Sequence, residues 1–262
     1  EYRYVFGGLE DISNIGLLDS YGAEAAYSLR ELSTAWAGLA VVEVREDGGD
    51  TTQTFTAAEL TDGTLATFCG VNNGFVSEWK DQSGNANDAT QVTLADQPKI
   101  YDSATGLITE DSLPAIDFDG LGDRLQMDSS VTGVDNIAAV ARCDDADFND
   151  LVTTTVSQGL ITTPAGNFAP AEGIGAAYFH EAGFISLDGV ILTANTTAQN
   201  NQIIFAGSSA GLGDADAYEY IGGDTAAKYW DGTIQEIILW TTPVLNYRSS
   251  IIDRINRYYN LY

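Results

Sequence analysis

Basic residues, histidine, cysteine and proline are all scarce in this chain of 262 residues. Eleven Lys and Arg stand against 38 Asp and Glu, with one His, two Cys and five Pro, and the formal net charge is −27. Such a chain is repelled by phosphate backbones and anionic lipid, which excludes nucleic-acid binding. A single His also excludes a histidine-rich zinc site. Solubility at high salt, cation binding and a basic partner remain as explanations of the charge.

The two cysteines, Cys69 and Cys143, are too few and too far apart to form a disulfide framework. Whether they pair with each other, and in which redox compartment, stays open. No apolar run approaches the length of a membrane-spanning helix, so membrane insertion is not expected.

The chain is rich in glycine and in short runs of residues that favour β-strands. Its 27 Gly, together with Asp and Asn, separate short runs rich in Val, Ile, Thr, Tyr and Phe. This spacing predicts an all-β, two-sheet jelly-roll sandwich, with one short helix over Gly63–Phe68. The predicted strands are Ala25–Arg30, Gly38–Val44, Gly74–Trp79, Ala115–Phe118, Asn136–Arg142, Ala176–Phe179, Phe184–Leu187, Val190–Thr193, Gln202–Phe205 and Thr233–Trp240.

The C-terminal segment differs from the rest of the chain in the spacing of its apolar residues and in its charge. Apolar and aromatic residues there follow one helical stripe, which predicts a C-terminal helix packed on the sandwich and capped by Asn246 or Ser249. Residues 248–262 contain three Arg and one Asp, so the segment is locally basic on an acidic body. The stripe consists of Ile251, Ile252, Ile255, Tyr258, Tyr259 and Leu261.

The beginning of the chain is predicted to be an arm over residues 1–14, ahead of one sandwich domain over residues 15–262. Tyr2, Tyr4 and Phe6 alternate and are followed by two glycines. The segment is either a first strand of the sandwich or an extension that docks on a partner by strand addition.

Two stretches of sequence carry a resemblance to a known group of folds. Residues 79–91 read WKDQSGNANDATQ and are followed by Gln97-Pro98 and by LPAIDFDG at residues 113–120; Ile221–Asp224 and Gly232–Ile237 come later. The first stretch resembles laminin G-like, concanavalin A-like domains of bacteriophage structural proteins and bacterial surface proteins. It is also similar to the catalytic domain of α-L-arabinofuranosidase B, and the second stretch resembles the end of the same fold. The resemblance covers roughly residues 17–262 and implies a jelly-roll fold closed by a helix.

The arabinofuranosidase resemblance implies two candidate carboxylates. It places Asp224 at the general acid, whereas the counterpart of the nucleophile region is the Phe184–Gly189 segment, which offers only Asp188. The Glu of the Asp-x-Glu-Asn pattern and the adjacent cysteine pair of those enzymes are absent. The only histidine, His180, precedes Glu181 and lies in no Gly-x-Ser-x-Gly elbow. The sequence therefore favours recognition over catalysis.

The polar block after Trp79 has two interpretations. Asp and Asn side chains stabilise turns by bonding nearby backbone, which favours a turn that defines the fold. Alternatively, the block forms the rim of a sugar site with Trp79 as a stacking face. The ligand-binding candidates are Trp79, Asp81, Gln82, Asn85, Asn87 and Asp224.

A cation site is the other candidate, because hard cations prefer carboxylate oxygens. Asp117, Asp119 and Asp123 form the candidate Ca²⁺ ligands, although flanking strands exclude an EF-hand. The runs Asp144–Asp147 and Asp214–Asp216 are similar. No other cofactor is expected.

These features together predict a non-enzymatic component of a virion or cell surface, such as a decoration, fibre or adhesin domain. Its expected location is a virion surface or the extracellular space. Its expected partners are other surface proteins, met through the arm, and host glycans; self-association is left open. The alternatives are a carbohydrate-binding module and a glycoside hydrolase similar to α-L-arabinofuranosidase.

Overall fold

The computed structural model describes residues 2–5, 8–11, 16–144, 150–153, 159–161, 167–168, 183–191, 196–197, 201–208, 217–225 and 228–262. The helices are α1 (Leu17–Ser20), α2 (Thr64–Cys69) and α3 (Arg248–Tyr259), with 3₁₀ turns at Thr34–Trp36, Leu94–Asp96 and Leu245–Tyr247. The strands are β1 (Tyr2–Val5), β2 (Gly8–Asp11), β3 (Ala25–Ser28), β4 (Ala40–Glu46), β5 (Thr52–Thr56), β6 (Gly74–Trp79), β7 (Ala89–Thr90), β8 (Lys99–Asp102), β9 (Gly106–Leu107), β10 (Thr109–Glu110), β11 (Leu113–Pro114), β12 (Ile116–Asp119), β13 (Leu125–Val131), β14 (Asn136–Cys143), β15 (Asp150–Thr153), β16 (Gly159–Ile161), β17 (Asn167–Phe168), β18 (Gly183–Leu187), β19 (Val190–Ile191), β20 (Thr196–Thr197), β21 (Gln202–Ser208), β22 (Tyr218–Ile221) and β23 (Asp231–Trp240).

Antiparallel pairing arranges most of these strands in two layers. Sheet A has the order β19-β18-β21-β14-β23-β3. Sheet B has the order β5-β4-β6-β7-β13-β22-β15-β16. Strands β8 and β12 connect the layers, because β8 pairs with β6 and β12 pairs with both β8 and β23. The predicted all-β sandwich is confirmed.

The main core lies between the two sheets. Successive residues of a strand point to opposite faces, so every second side chain of each sheet faces inward. Sheet A contributes Ile137, Ala139, Ile237 and Leu239, and sheet B contributes Val42, Val76, Trp79, Leu125 and Met127.

A second core fills the space between sheet A and α3. The helix buries Ile251, Ile252, Ile255 and Tyr259 against the outer face of the sheet, where Val140, Phe205, Ile238 and Trp240 receive them. The predicted closing helix is confirmed, with two corrections. Tyr258 is exposed rather than part of the buried stripe, and Tyr247, at the end of a 3₁₀ turn, occupies the N-cap position instead of Asn246 or Ser249.

A buried charge network fastens α3 to sheet A. Glu236 lies on the α3 side of β23 and is fully buried. Its carboxylate accepts two bonds from the Arg30 guanidinium, at 2.7 and 3.0 Å. The Ser28 hydroxyl at 3.0 Å and the Tyr259 hydroxyl at 3.2 Å add two more donors. A carboxylate removed from water needs such partners, because an unpaired buried charge is costly.

Most of the predicted elements fall close to the observed ones. The strand over Gly74–Trp79 matches β6, and the predicted helix over Gly63–Phe68 matches α2 to within one residue. The strand expected at Ala176–Phe179 lies outside the described residues. Cys69 and Cys143 are both buried. None of the described helices has the length and hydropathy of a membrane span.

The N-terminal segment forms a hairpin. β1 pairs with β2, and neither strand pairs with the sandwich in the part of the chain that the structure describes. The docking role of this arm stays a prediction.

We expect Glu236→Ala to lower the free energy of unfolding by about 3–5 kcal/mol, because it leaves the Arg30 charge buried without its partner. The matched control is Asp253→Ala, which removes the acid of the exposed Arg257–Asp253 pair (2.8 Å) and is expected to cost less than about 1 kcal/mol. Urea unfolding of both variants measures the difference. Equal losses would show that the buried network does not hold α3.

Candidate functional site

The polar block that follows Trp79 is centred on the buried carboxylate of Asp81. This carboxylate accepts hydrogen bonds from the backbone amides of Ala26 (2.8 Å), Ser83 (2.9 Å) and Asn87 (3.0 Å), and from the Ser83 hydroxyl (2.6 Å). The first of these bonds joins the turn to β3, at the edge of sheet A. Asp81 is therefore a structural tie between the block and the sandwich.

The neighbouring amide side chains are also used by the fold. The Gln82 side chain accepts a bond from the Leu32 amide and donates one to the Ser28 carbonyl, each at 2.9 Å. The Asn87 side chain bonds both backbone groups of Ser129, at 2.9 and 2.7 Å. The interpretation of this block as a fold-defining turn is the one that its contacts support.

Trp79 does not provide the stacking face that the sequence suggested. Its side chain is 0% exposed and packs in the main core against Tyr27, with ring centroids 5.9 Å apart. The assignment is corrected because Trp79 points to the inner face of β6. Asn85 is exposed but donates to the Glu24 carbonyl at 2.9 Å.

The two carboxylates implied by the arabinofuranosidase resemblance lie on different sheets. Asp188 and Gly189, with φ of 48° and 81°, form the two-residue turn between β18 and β19 in sheet A. Such a turn requires positive φ at both positions, which Asp-Gly adopts readily. The Asp188 carboxylate accepts the Ile203 amide at 3.0 Å, and burial raises its pKa. Asp188 is therefore a turn residue.

Asp224 follows β22 of sheet B. Its side chain is buried and accepts the Lys228 amide at 3.0 Å, while its carbonyl accepts a bond from the Arg124 guanidinium. The Arg124 guanidinium also lies 5.4 Å from the ring centroid of Tyr220. Asp224 thus belongs to sheet B, whereas Asp188 belongs to a turn of sheet A. His180 and Glu181 lie outside the described residues.

The acidic loop after β12 uses its carboxylates internally. Asp119 accepts the amides of Leu121 (2.8 Å) and Gly122 (3.1 Å), and Asp123 accepts the Asp119 amide at 3.1 Å. Asp117 is the third candidate, and burial raises its pKa. Across the described residues, no three side chains of metal-binding types form a coordination group. The geometry therefore gives the predicted calcium site at Asp117, Asp119 and Asp123 no support, and Asp145, Asp147 and Asp214–Asp216 lie outside the described residues.

The outer face of sheet B carries polar side chains in cross-strand register. Directly opposed residues of antiparallel strands point to the same face. The pairings form one continuous line across seven strands, which we name the polar row. It consists of Thr54, Glu43, Glu78, Thr90, Gln126, Tyr220 and Thr153.

The polar row is open at one end and covered at the other. Thr54 and Gln126 are exposed, and Glu43, Glu78 and Thr90 between them are half-buried. These five strands span about 19 Å at ~4.8 Å per strand. Toward β22 and β15 the row is buried, where Arg124 lies over Tyr220.

Hydrogen-bonding groups line the open part of the row. Lys80 contacts Glu78 and also lies 2.9 Å from Asp88, and the Ser77 hydroxyl donates to Glu43 at 2.8 Å. Carboxylates, an ammonium group, hydroxyls and amides are thus displayed along one face. Such groups bind ligands that have many hydroxyls.

Sequence reasoning missed the polar row. The alternation Leu125-Gln126-Met127-Asp128 was available and marks Gln126 as outward-facing. Nothing in the sequence states that β7 lies between β6 and β13, however, and that order creates the row.

Comparison with solved structures finds this fold in arabinofuranosidases. One is an arabinofuranosidase complexed with arabinofuranosyl-α-1,2-xylobiose, with 17% sequence identity, a TM-score of 0.60, and coverage of 92% of this chain and 64% of that chain. Another is a GH54 α-L-arabinofuranosidase soaked with a cyclic sulfate inhibitor, with 16% identity, a TM-score of 0.57, and coverage of 92% and 65%. This chain thus spans just under two thirds of their length. No protein-family profile matches it, and no curated protein does.

These comparisons define the fold class and no more. The expected distant similarity to arabinofuranosidases is confirmed as a likeness of fold at 16–17% identity. They lend no support to a laminin G-like or bacteriophage relationship, nor to a virion role. A shared fold does not by itself establish a shared function.

We expect Asp81→Ala to destabilise the protein by roughly 3 kcal/mol or more, because it leaves several buried donors without an acceptor. Asn85→Ala, in the same block but exposed, is the control and is expected to cost less than about 1 kcal/mol. Urea unfolding followed by tryptophan fluorescence measures both. A small loss in Asp81→Ala would contradict its role as a tie.

The ionisation of Asp123 is expected to make the free energy of unfolding depend on pH. Burial, with Asp119 and Asp117 nearby, raises the pKa of Asp123 to about 7, well above the value of about 3.9 expected in the unfolded chain. The native state then binds the proton more tightly, so stability falls as the pH rises from about 4 to 7. Asp123→Asn should flatten this part of the Tm–pH curve, whereas Asp253→Asn on the surface of α3 should not. Parallel curves for wild type and Asp123→Asn would contradict the shift.

Proposed function

We propose that this chain is a carbohydrate-binding β-sandwich domain that binds a glycan on the outer face of sheet B. The observation that carries the proposal is the polar row, whose open part displays hydroxyl, amide, carboxylate and ammonium groups over about 19 Å. The likeness of fold to arabinofuranosidases supports it.

The outer face of sheet B is more accessible to a ligand than the outer face of sheet A. The outer face of sheet A is buried under α3, and no described helix packs on the open part of the polar row. A flexible sugar chain needs an extended surface that offers both donors and acceptors. Of the two outer sheet faces that the structure describes, the outer face of sheet B offers such a surface.

The charge of the face indicates a neutral glycan. Glu78 and Asp88 both contact Lys80, and Glu43 lies opposite Glu78 in the polar row. Carboxylates there would repel uronate or sulfate groups but accept hydrogen bonds from sugar hydroxyls. Because the fold neighbours act on arabinofuranosides, arabinose-substituted xylan is the first ligand to test.

Hydrolysis is the weaker alternative. A glycosidase requires two carboxylates on either side of the scissile bond, about 5–9.5 Å apart depending on mechanism. Asp188, the counterpart that the resemblance offers for Asp224, is a turn residue of the other sheet. An extracellular location and docking through residues 1–14 stay predictions, and both are compatible with glycan binding.

The test is calorimetric titration with neutral arabinoxylan oligosaccharides. The double variant Thr90→Ala with Gln126→Ala should weaken binding by about five- to 150-fold, because two neutral hydrogen bonds contribute roughly 1–3 kcal/mol. Thr105→Ala, in the exposed turn between β8 and β9, is the matched control and should bind as wild type does.

Two outcomes would overturn the proposal. One is a wild-type protein that binds no oligosaccharide of a broad neutral panel. The other is release of sugar from an aryl arabinofuranoside by the wild type and not by Asp224→Asn, which would make the chain an enzyme.

A further inference from the structure

The exposed aromatic side chains of the described residues are confined to the C-terminal segment. Tyr247 is 54% exposed, Tyr258 is 42% exposed and Tyr262 is 59% exposed. By contrast, Trp79 and Trp240 are fully buried. Exposed aromatic rings are the usual apolar surface for the face of a sugar, and here they are located on α3 and at its two ends rather than near Trp79.

The first half of this aromatic surface is built around Tyr21. Its ring centroid lies 5.4 Å from that of Tyr247, and its hydroxyl donates to Ser250 at 2.8 Å. The Arg254 guanidinium lies 5.5 Å from the same ring centroid. These contacts hold Tyr247 and Arg254 on one flank of α3.

The second half continues along the same flank. Tyr258 lies one helical turn after Arg254, so the two residues are neighbours on the helix surface. The Arg30 guanidinium lies 4.9 Å from the Tyr258 ring centroid and is itself fixed by Glu236. Tyr247 and Tyr258 are eleven residues apart, which is about 16 Å along a helix. We name this surface the Tyr–Arg strip, consisting of Tyr21, Tyr247, Arg254, Tyr258 and Arg30.

The strip is the basic part of an acidic molecule. Residues 248–262 carry three Arg and one Asp, whereas the whole chain has a net charge of −27. Arg257, which pairs with Asp253, adds an exposed guanidinium nearby. At physiological salt the Debye length is about 8 Å, so a ligand on the strip responds mainly to the charges close to it. Arg248, Arg254 and Arg257 outnumber Asp253 and the Asp19 carboxylate, which bonds the Gly16 amide beside Arg254. Charge complementarity therefore favours an anionic ligand at this surface.

We propose that the Tyr–Arg strip is a second glycan-binding surface, specific for glycans that contain uronic acid. The tyrosine rings stack on sugar faces, and Arg254 and Arg257 bind the carboxylate. This ligand class is the opposite of the one expected on sheet B, where carboxylates repel uronates. The proposal does not depend on the polar row.

The experiment is titration of the full chain with oligogalacturonate at about 0.15 M salt, with neutral arabinoxylan oligosaccharide as the second probe. Tyr247→Ala with Tyr258→Ala should lower the affinity for oligogalacturonate by about five- to 150-fold, since each of the two stacking contacts contributes roughly 0.5–1.5 kcal/mol. Tyr247→Phe with Tyr258→Phe retains the rings and should remain within about threefold of wild type. Arg257→Gln, on an exposed side chain that leaves the core intact, should weaken oligogalacturonate binding alone.

The variants of the polar row separate this proposal from the previous one. Thr90→Ala with Gln126→Ala should leave oligogalacturonate binding unchanged. Three outcomes would each overturn the second surface. The first is loss of oligogalacturonate binding in that polar-row variant, and the second is no oligogalacturonate binding by the wild type. The third is unchanged binding in both the tyrosine-to-alanine variant and Arg257→Gln. Circular dichroism confirms that each variant keeps its helix and sheet content.

Discussion

The packing of α3 on sheet A determines which surfaces of the sandwich a ligand can reach. Ile251, Ile252 and Ile255 leave water on the outer face of that sheet, each contributing roughly 1.5–3 kcal/mol. The Tyr259 hydroxyl of the helix bonds to Glu236, which also forms a buried ion pair with Arg30. Because this face is closed, the outer face of sheet B is the broad sheet surface left for binding, and the outer flank of α3 becomes a surface of its own.

The two candidate surfaces differ in chemistry. The polar row combines hydroxyls and amides with an excess of carboxylates around Lys80. The Tyr–Arg strip combines exposed rings with an excess of guanidinium groups. One fold thus offers two surfaces of opposite charge, which suits recognition of a polysaccharide that has both neutral and acidic sugars. Asp188 lies in the hairpin turn between β18 and β19 and belongs to neither surface.

Local features of the structure could be predicted from the sequence, and features that depend on strand order could not. The period of Ile251, Ile252 and Ile255 predicts α3 because helical contacts lie within a few residues of each other. The position of Asp81 in a turn could be predicted for the same reason, because Asp side chains bond backbone groups that are close to them in the sequence. Trp79 could not be placed correctly, because the side of β6 that faces the core depends on how distant strands pair. The polar row has the same origin, since Glu78, Thr90 and Gln126 become neighbours only through the order β6-β7-β13.

The claim that the outer face of sheet B binds glycan is tested most directly by mapping amide chemical shifts of the labelled chain during titration with a neutral arabinoxylan oligosaccharide. Saturable shifts are expected at Glu78, Thr90 and Gln126, on adjacent strands of that face, with residues 248–259 unaffected. Shifts confined to α3, or to the turn over residues 81–87, or no shifts at all, would contradict it.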